Sequence, residues 1–331
     1  MSRDGACFIL SVLVALTLSS AGCEAPPGPG GETGGGALDT PLGRAVALLT
    51  SEVPRWYSEN DCFSCHHNGD AARALFAAGR LGREVPRTAI ASTVEWLARP
   101  DRWDDQKGDP AFSDKALARF QFAAALAGAH EAGLVREERA IESARDSLEA
   151  LQGDDGAWTV EPPAAMGSPA TWGTHLATAM TCRALEALGE RRPGGPVERA
   201  RSWLREAPVR NVFEAAAVLL GLGAGEEPGK GGRVEACLRK IEEGRSPRGG
   251  WGPYATSPPE PFDTAVVLLA LRGLTQTAEV RGWIQEGRAY LLATQEEDGG
   301  WPATTRPPGG QSHAQSTSTT AWATMALLVT E

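Results

Sequence analysis

Two kinds of segment alternate along the chain. In the first, charges recur at helical spacing and leave one apolar stripe, as in residues 140–152, 196–207 and 282–295. Such a pattern predicts a half-exposed helix. In the second, apolar residues run nearly all round, as in 116–129, 212–223, 264–271 and 320–329. A helix without a polar face has to be covered on both sides. An inner ring of helices wrapped by an outer ring meets both demands at once. No run shows the strict alternation of a half-buried strand, so an all-α chain is expected.

Tryptophans mark the period. Between the two kinds of segment lies a polar turn ending in Trp or Gly-x-Trp, at Trp103, Trp158, Trp251 and Trp301. The spacings are 55, 93 and 50 residues, and the long one hides a further unit centred on 203–211. With the segment before Trp103, six helical hairpins are expected. They pair 41–56 with 71–79, 88–98 with 114–133, 137–152 with 171–188, 196–206 with 211–223, 233–243 with 262–274, and 280–295 with 316–329.

Composition narrows the partners. The 331 residues carry 32 Lys and Arg against 42 Asp and Glu, a net charge of −10, which leaves no basic excess to hold a nucleic-acid backbone. Residues 1–22 read as an export signal, with Arg3 ahead of an apolar run from Phe8 to Leu18. Eleven residues are too few for a permanent membrane span, which takes about 20. The small residues Ser20-Ala21-Gly22 before Cys23 match a bacterial lipoprotein box, with Cys23 as the lipidated residue; an ordinary cleaved signal with Cys23 incidental is the alternative. Residues 23–37, rich in Gly and Pro, read as a flexible tether, and 38–331 as the folded ring. A lipid-anchored protein on the outer side of a bacterial membrane is the expectation.

Tyr290 leads through Gln295 to Gly299-Gly300-Trp301, and Gln152 leads to Gly156-Ala157-Trp158; Gly249-Gly250-Trp251 is a degenerate third copy. These residues resemble the repeat of squalene/hopene cyclases and related terpenoid cyclases, over roughly 38–331. The resemblance implies an α/α toroid, the fold also used by protein prenyltransferase β subunits and complement-type thioester domains. In physical terms the Gln bonds backbone at a helix end and the Trp fills the gap between neighbouring pairs.

The chemistry of those families is mostly missing. Cyclases that protonate an alkene carry Asp-x-Asp-Asp, and no such run occurs here. Prenyltransferase β subunits bind zinc through Asp-x-Cys and a later His; Asp263-Thr264-Ala265 has Ala where Cys belongs, although His313 follows in the next unit. Two ligands make a poor zinc site. The thioester sequence Cys-Gly-Glu-Gln is also absent. Asp263, His175 and His313 nevertheless fall near inner-helix starts and are cavity candidates for acid/base chemistry on a terpenoid or other hydrophobic ligand. The alternative is an N-cap role for Asp263 and ordinary polar lining for the histidines.

The sharpest motif lies in the first unit, whose turn reads Cys62-Phe63-Ser64-Cys65-His66-His67-Asn68-Gly69. Cys-x-x-Cys-His is the attachment sequence of haem c, with Cys62 and Cys65 on the vinyl groups and His66 on the iron. A disulfide, or a zinc site using both Cys and one or both His, are the competing readings. Ring closure would bring the loop 301–316 against this turn. His313 is then the first candidate for a distal iron ligand, with His175 and Met166 behind it, and a five-coordinate iron stands equally open. His67 is not expected to share the iron of its neighbour. Cys182 and Cys237 read as small buried apolar residues on helices. The function expected from the sequence is a haem-bearing envelope lipoprotein acting with a redox partner or as a sensor, and the alternative is an enzyme or binding protein for a hydrophobic small molecule.

Overall fold

The computed structural model describes residues 39–105, 114–162, 165–223, 232–304, 306 and 312–331. Residues 1–22, expected as an export signal, Cys23 and the whole of the expected tether 23–37 lie outside them.

Among the described residues twelve α-helices fall where the periodicity places them. The outer ones are α1 (Pro41–Asn60), α3 (Arg87–Leu97), α5 (Glu138–Ala150), α7 (Pro196–Glu206), α9 (Arg233–Glu243) and α11 (Ala278–Thr294). The inner ones are α2 (Ala72–Arg80), α4 (Lys115–Glu131), α6 (Gly173–Ala187), α8 (Val212–Leu222), α10 (Pro261–Arg272) and α12 (His313–Val329). Each inner helix packs on the next, and α12 packs back on α2 and α1, so the ring is closed. No strand occurs among the described residues. On outer α9 only Val234, Cys237 and Ile241 are buried, one stripe at helical spacing. On inner α8 ten of eleven residues are buried, and only Glu214 escapes. Covering on two sides explains why that helix has no polar face.

The Gly-x-Trp turns are built alike. The indole N–H of Trp158, Trp251 and Trp301 donates to the carbonyl ten residues earlier, at Leu148, Ile241 and Leu291, in each case at 2.8 Å. The backbone N–H of the same Trp donates to a threonine on the following inner helix, Thr178, Thr264 or Thr320, at 3.0, 2.9 and 3.1 Å. Each Trp thus satisfies an orphan carbonyl in the last turn of the outer helix while filling the space between layers. Gln152 donates to Gly156 O and to Pro196 O at the start of α7, and receives Arg199. Gln295 repeats this on Gly299 O and on Pro41 O at the start of α1, and receives Arg44. The last unit is therefore joined to the first by the same clasp that joins the third to the fourth. Glycine is required in both clasps: Gly156 and Gly299 have φ of +94° and +93°, and a Cβ there would lie 2.5 Å from Arg199 O and 2.6 Å from Arg44 C.

The first unit departs from expectation. Residues 65–69 do not form a turn; helix begins at Cys65, with a π-helical segment (Cys65–Ala71) running directly into α2. The Ser64 hydroxyl accepts from His66 N, and the Asn68 side chain accepts from Ser64 N and donates to the Thr93 hydroxyl. These bonds cap the helix five or six residues ahead of the predicted start.

Candidate functional site

Two places gather polar groups that the fold alone does not require. One is the ring axis. Asp70, at the end of the π-helical segment, is buried and accepts from the Ser318 hydroxyl on α12 at 2.9 Å. Burial pushes its carboxyl up to about 6, against the opposing pull of Arg73. The Arg73 guanidinium lies 3.4 Å from Asp70 and over the ring of Trp322, 4.4 Å from its centroid, with Trp172 on another side at 5.7 Å. On the far side of Trp322 lies Phe262, edge-on at 5.5 Å. There the second buried pair sits: Arg306 holds Asp263 through two bonds of 3.0 and 3.1 Å and lies over Phe213. Burial also pushes Asp263 up to about 6. Asp263 is not the N-cap of α10; Glu260 has that position, and the carboxylate turns to Arg306 instead.

Arg73 is the least satisfied of these groups. It is 7% exposed, its Nη1 reaches only the Met180 sulfur at 4.0 Å, and its Nε and Nη2 have no hydrogen-bond acceptor. Burial lowers its guanidinium to about 10. It forms the floor of a funnel of about 140 Å³ near the C-terminal ends of α2, α4 and α6, walled by Ala77, Ala124, Ala127 and Gly128, with Arg183 and the ion-paired Arg80 and Glu131 also lining it.

The other place is the seam where α12 meets the first unit. His313 lies beside the Cys-x-x-Cys-His-His segment, as ring closure requires, but its neighbour is His67, with ring centroids 5.4 Å apart. His313 Nε2 is 2.7 Å from Glu52 Oε2 and 3.1 Å from Arg55 Nη2. His67 is fully buried, stacked on Trp56, and its Nε2 is 3.9 Å from the same Glu52 oxygen. Burial lowers His67 to about 3. A cavity of about 360 Å³ opens here, walled by Leu48, Glu52, Arg55, Trp301, His313 and Thr317 among others. His175 lies elsewhere, on Trp203 and 3.0 Å from Pro208 O; burial lowers its imidazole, with Glu214 opposing. Met166 packs against the core.

The haem donors have other partners. His66 Nδ1 is 2.9 Å from Ser318 Oγ; since that hydroxyl donates to Asp70, the imidazole donates to it and keeps its lone pair on Nε2. That is the tautomer an iron ligand needs, and burial holds it neutral, with the value lowered to about 4. Aromatic packing surrounds the motif. Phe63, between the two cysteines, is stacked on both Tyr57 and Trp96. Cys65 packs on the core, and burial raises its thiol to about 12. The seam cavity is walled by none of Cys62, Cys65 and His66. Haem attachment at Cys62 and Cys65 would require the stack of Tyr57, Phe63 and Trp96 to open. Cys62 and Cys65 are not bridged to each other, and neither are Cys182 and Cys237, both of which are buried on helices.

Glu52, Asp70 and Arg73 are the residues that sequence reasoning missed. Glu52 left a signal. The buried face of α1 is Leu42, Ala45, Val46, Leu49, Glu52 and Val53, one charge in an apolar stripe. Asp70 and Arg73 left none, because their neighbours on the axis come from units far apart in sequence.

No protein-family model matches the chain. Over 187 residues it is 32% identical to a drimenyl diphosphate synthase of Streptomyces showdoensis, in an alignment covering 50% of this chain and 32% of that protein. The chain thus spans about a third of that relative. Among solved structures, a type II terpene cyclase from Scytonema in complex with geranylgeranyl dihydroxybenzoate superposes with a TM-score of 0.59 at 18% identity, over 89% of this chain and 97% of that one. A protein from Actinoplanes superposes with a TM-score of 0.56 at 16% identity, covering 88% and 98%. In fold, the chain is a terpene-cyclase-like α/α toroid.

Proposed function

We propose that the protein is a binding ring of the terpene-cyclase fold, which seats the anionic end of a terpenoid-type ligand on Arg73 and does not cyclise it. The observation that carries the reading is the buried, poorly satisfied guanidinium at the floor of the funnel. The guanidinium has Asp70 as its carboxylate partner at 3.4 Å but makes no well-aligned hydrogen bond to it, and an anionic head group would supply the missing bonds. The small alanine and glycine walls are suited to an apolar chain following the head group.

Cyclisation fits the geometry less well. A funnel of about 140 Å³ is below the range of pockets that enclose a whole ligand of this kind, roughly 300–1,000 Å³. The aromatic faces that would stabilise a carbocation already hold Arg73 and Arg306. Lipid attachment at Cys23 would hold the ring beside a membrane source of such ligands.

Titrating the full chain with geranylgeranyl diphosphate should quench the fluorescence of Trp172 and Trp322 and saturate. Geranylgeraniol should bind more weakly, and Arg73→Met should weaken the diphosphate at least tenfold. Equal affinity in Arg73→Met, no binding at all, or recovery of a cyclised product would each overturn the reading.

A further inference from the structure

We propose that Glu52, His67 and His313 form a binding site for a divalent metal ion of the zinc class at the seam of the ring. One ligand atom from each residue lies within 4.8 Å of the others. α1 and the π-helical segment of the first unit supply two of them, and α12, brought alongside by ring closure, supplies the third. Two imidazole nitrogens and one carboxylate oxygen are a donor set that suits zinc and its borderline neighbours better than calcium or magnesium.

His67 is the second, independent observation. It is fully buried, yet its contacts to the Ser64 and Thr317 hydroxyls are both 3.4 Å, beyond a good hydrogen bond. A buried imidazole this poorly partnered calls for an explanation. Its Nε2 faces Glu52, while Nδ1 faces the Ser64 hydroxyl, the outer contact that orients a metal-bound histidine. Arg55 puts its guanidinium 2.7 Å from Glu52 and 3.1 Å from His313. A cation thus already sits between these two donors, and the Arg55 side chain is 47% exposed and able to swing out. The adjoining cavity leaves room for water on the remaining coordination positions. The site uses neither cysteine, and it stands or falls separately from ligand binding at the axis.

The test is equilibrium dialysis of the metal-stripped full chain against zinc, with cobalt as the spectroscopic probe. One zinc per chain is expected, with a cobalt spectrum of nitrogen and oxygen ligation and no thiolate charge-transfer band. His313→Ala, at an exposed helix start, should weaken zinc at least tenfold without unfolding the ring, and Glu52→Gln should do the same. Arg55→Ala should tighten binding or leave it unchanged. The double variant Cys62→Ser, Cys65→Ser should bind as wild type. No stoichiometric zinc, unchanged affinity in both His313→Ala and Glu52→Gln, or loss of binding in the cysteine double variant would overturn the proposal.

Discussion

The turns of the third and sixth units and the turn of the first occupy equivalent places in the ring and are built on opposite plans. Around Trp158 and Trp301 nearly every polar group is spent on backbone: Gln on the next outer helix, indole N–H on the last carbonyl, threonine hydroxyl on the Trp amide. In the first unit Ser64 and Asn68 do the capping, and no Trp follows the motif. The two histidines of the motif then turn to side chains, His66 to Ser318 and His67 to Trp56 and the Glu52 carboxylate. The difference teaches where chemistry can enter a repeat fold: at the unit whose joint is made by other means.

The largest effect should come from the repeated turn. Trp301→Ala removes a fully buried indole and leaves Leu291 O without its donor, so urea unfolding should show a loss of about 3–5 kcal/mol. A loss under about 1 kcal/mol would show that the turn is not what holds the ring, and the contrast would fail.

The next effect sharpens the contrast by looking away from the seam. Asp263 titrates at about 6 in the folded protein against the usual 3.8, because burial disfavours its charge. Between those values the folded state keeps a proton that the unfolded chain has released. Stability therefore falls as pH rises from about 4 to about 6, by up to about 1.4 kcal/mol per pH unit. Asp263→Asn cannot ionise. Its stability relative to wild type should improve across that window and stay level above it, measured by urea unfolding at each unit from pH 4 to 8.

The smallest effect belongs to the first turn. Since Cys62 and Cys65 are not bridged, the double serine variant should differ from wild type by less than about 1 kcal/mol in the same assay. Wild type co-expressed with a haem-attachment system should show no Soret band after denaturation. A band that survives denaturation would reinstate the haem reading and would mean that the aromatic stack of Tyr57, Phe63 and Trp96 rearranges.

The fold was legible because its determinants are local and repeated. α7 and α9 begin and end where the sequence places them, each entered past a glycine and carrying an apolar stripe that defines its buried side. The helix start at Cys65 was not legible: Ser64 and Asn68 read as turn residues, and only their bonds to His66, to each other and to Thr93 convert them to caps. His313 could be brought to the first unit by ring closure alone. Its pairing with Glu52 could not, because the spacing of histidines says nothing about which carboxylate on α1 faces them. The axis was least legible, since Asp70, Arg73, Trp172, Trp322 and Ser318 come from the first, third and sixth units and no short motif joins them.

Gln295 holding Pro41 and Arg44 has a consequence for how the ring can come apart. The sixth unit and the first lie far apart in the sequence, yet the clasp between them has the chemistry of the one that joins two consecutive units. Mechanical load on the belt therefore meets the same bonds at both joints.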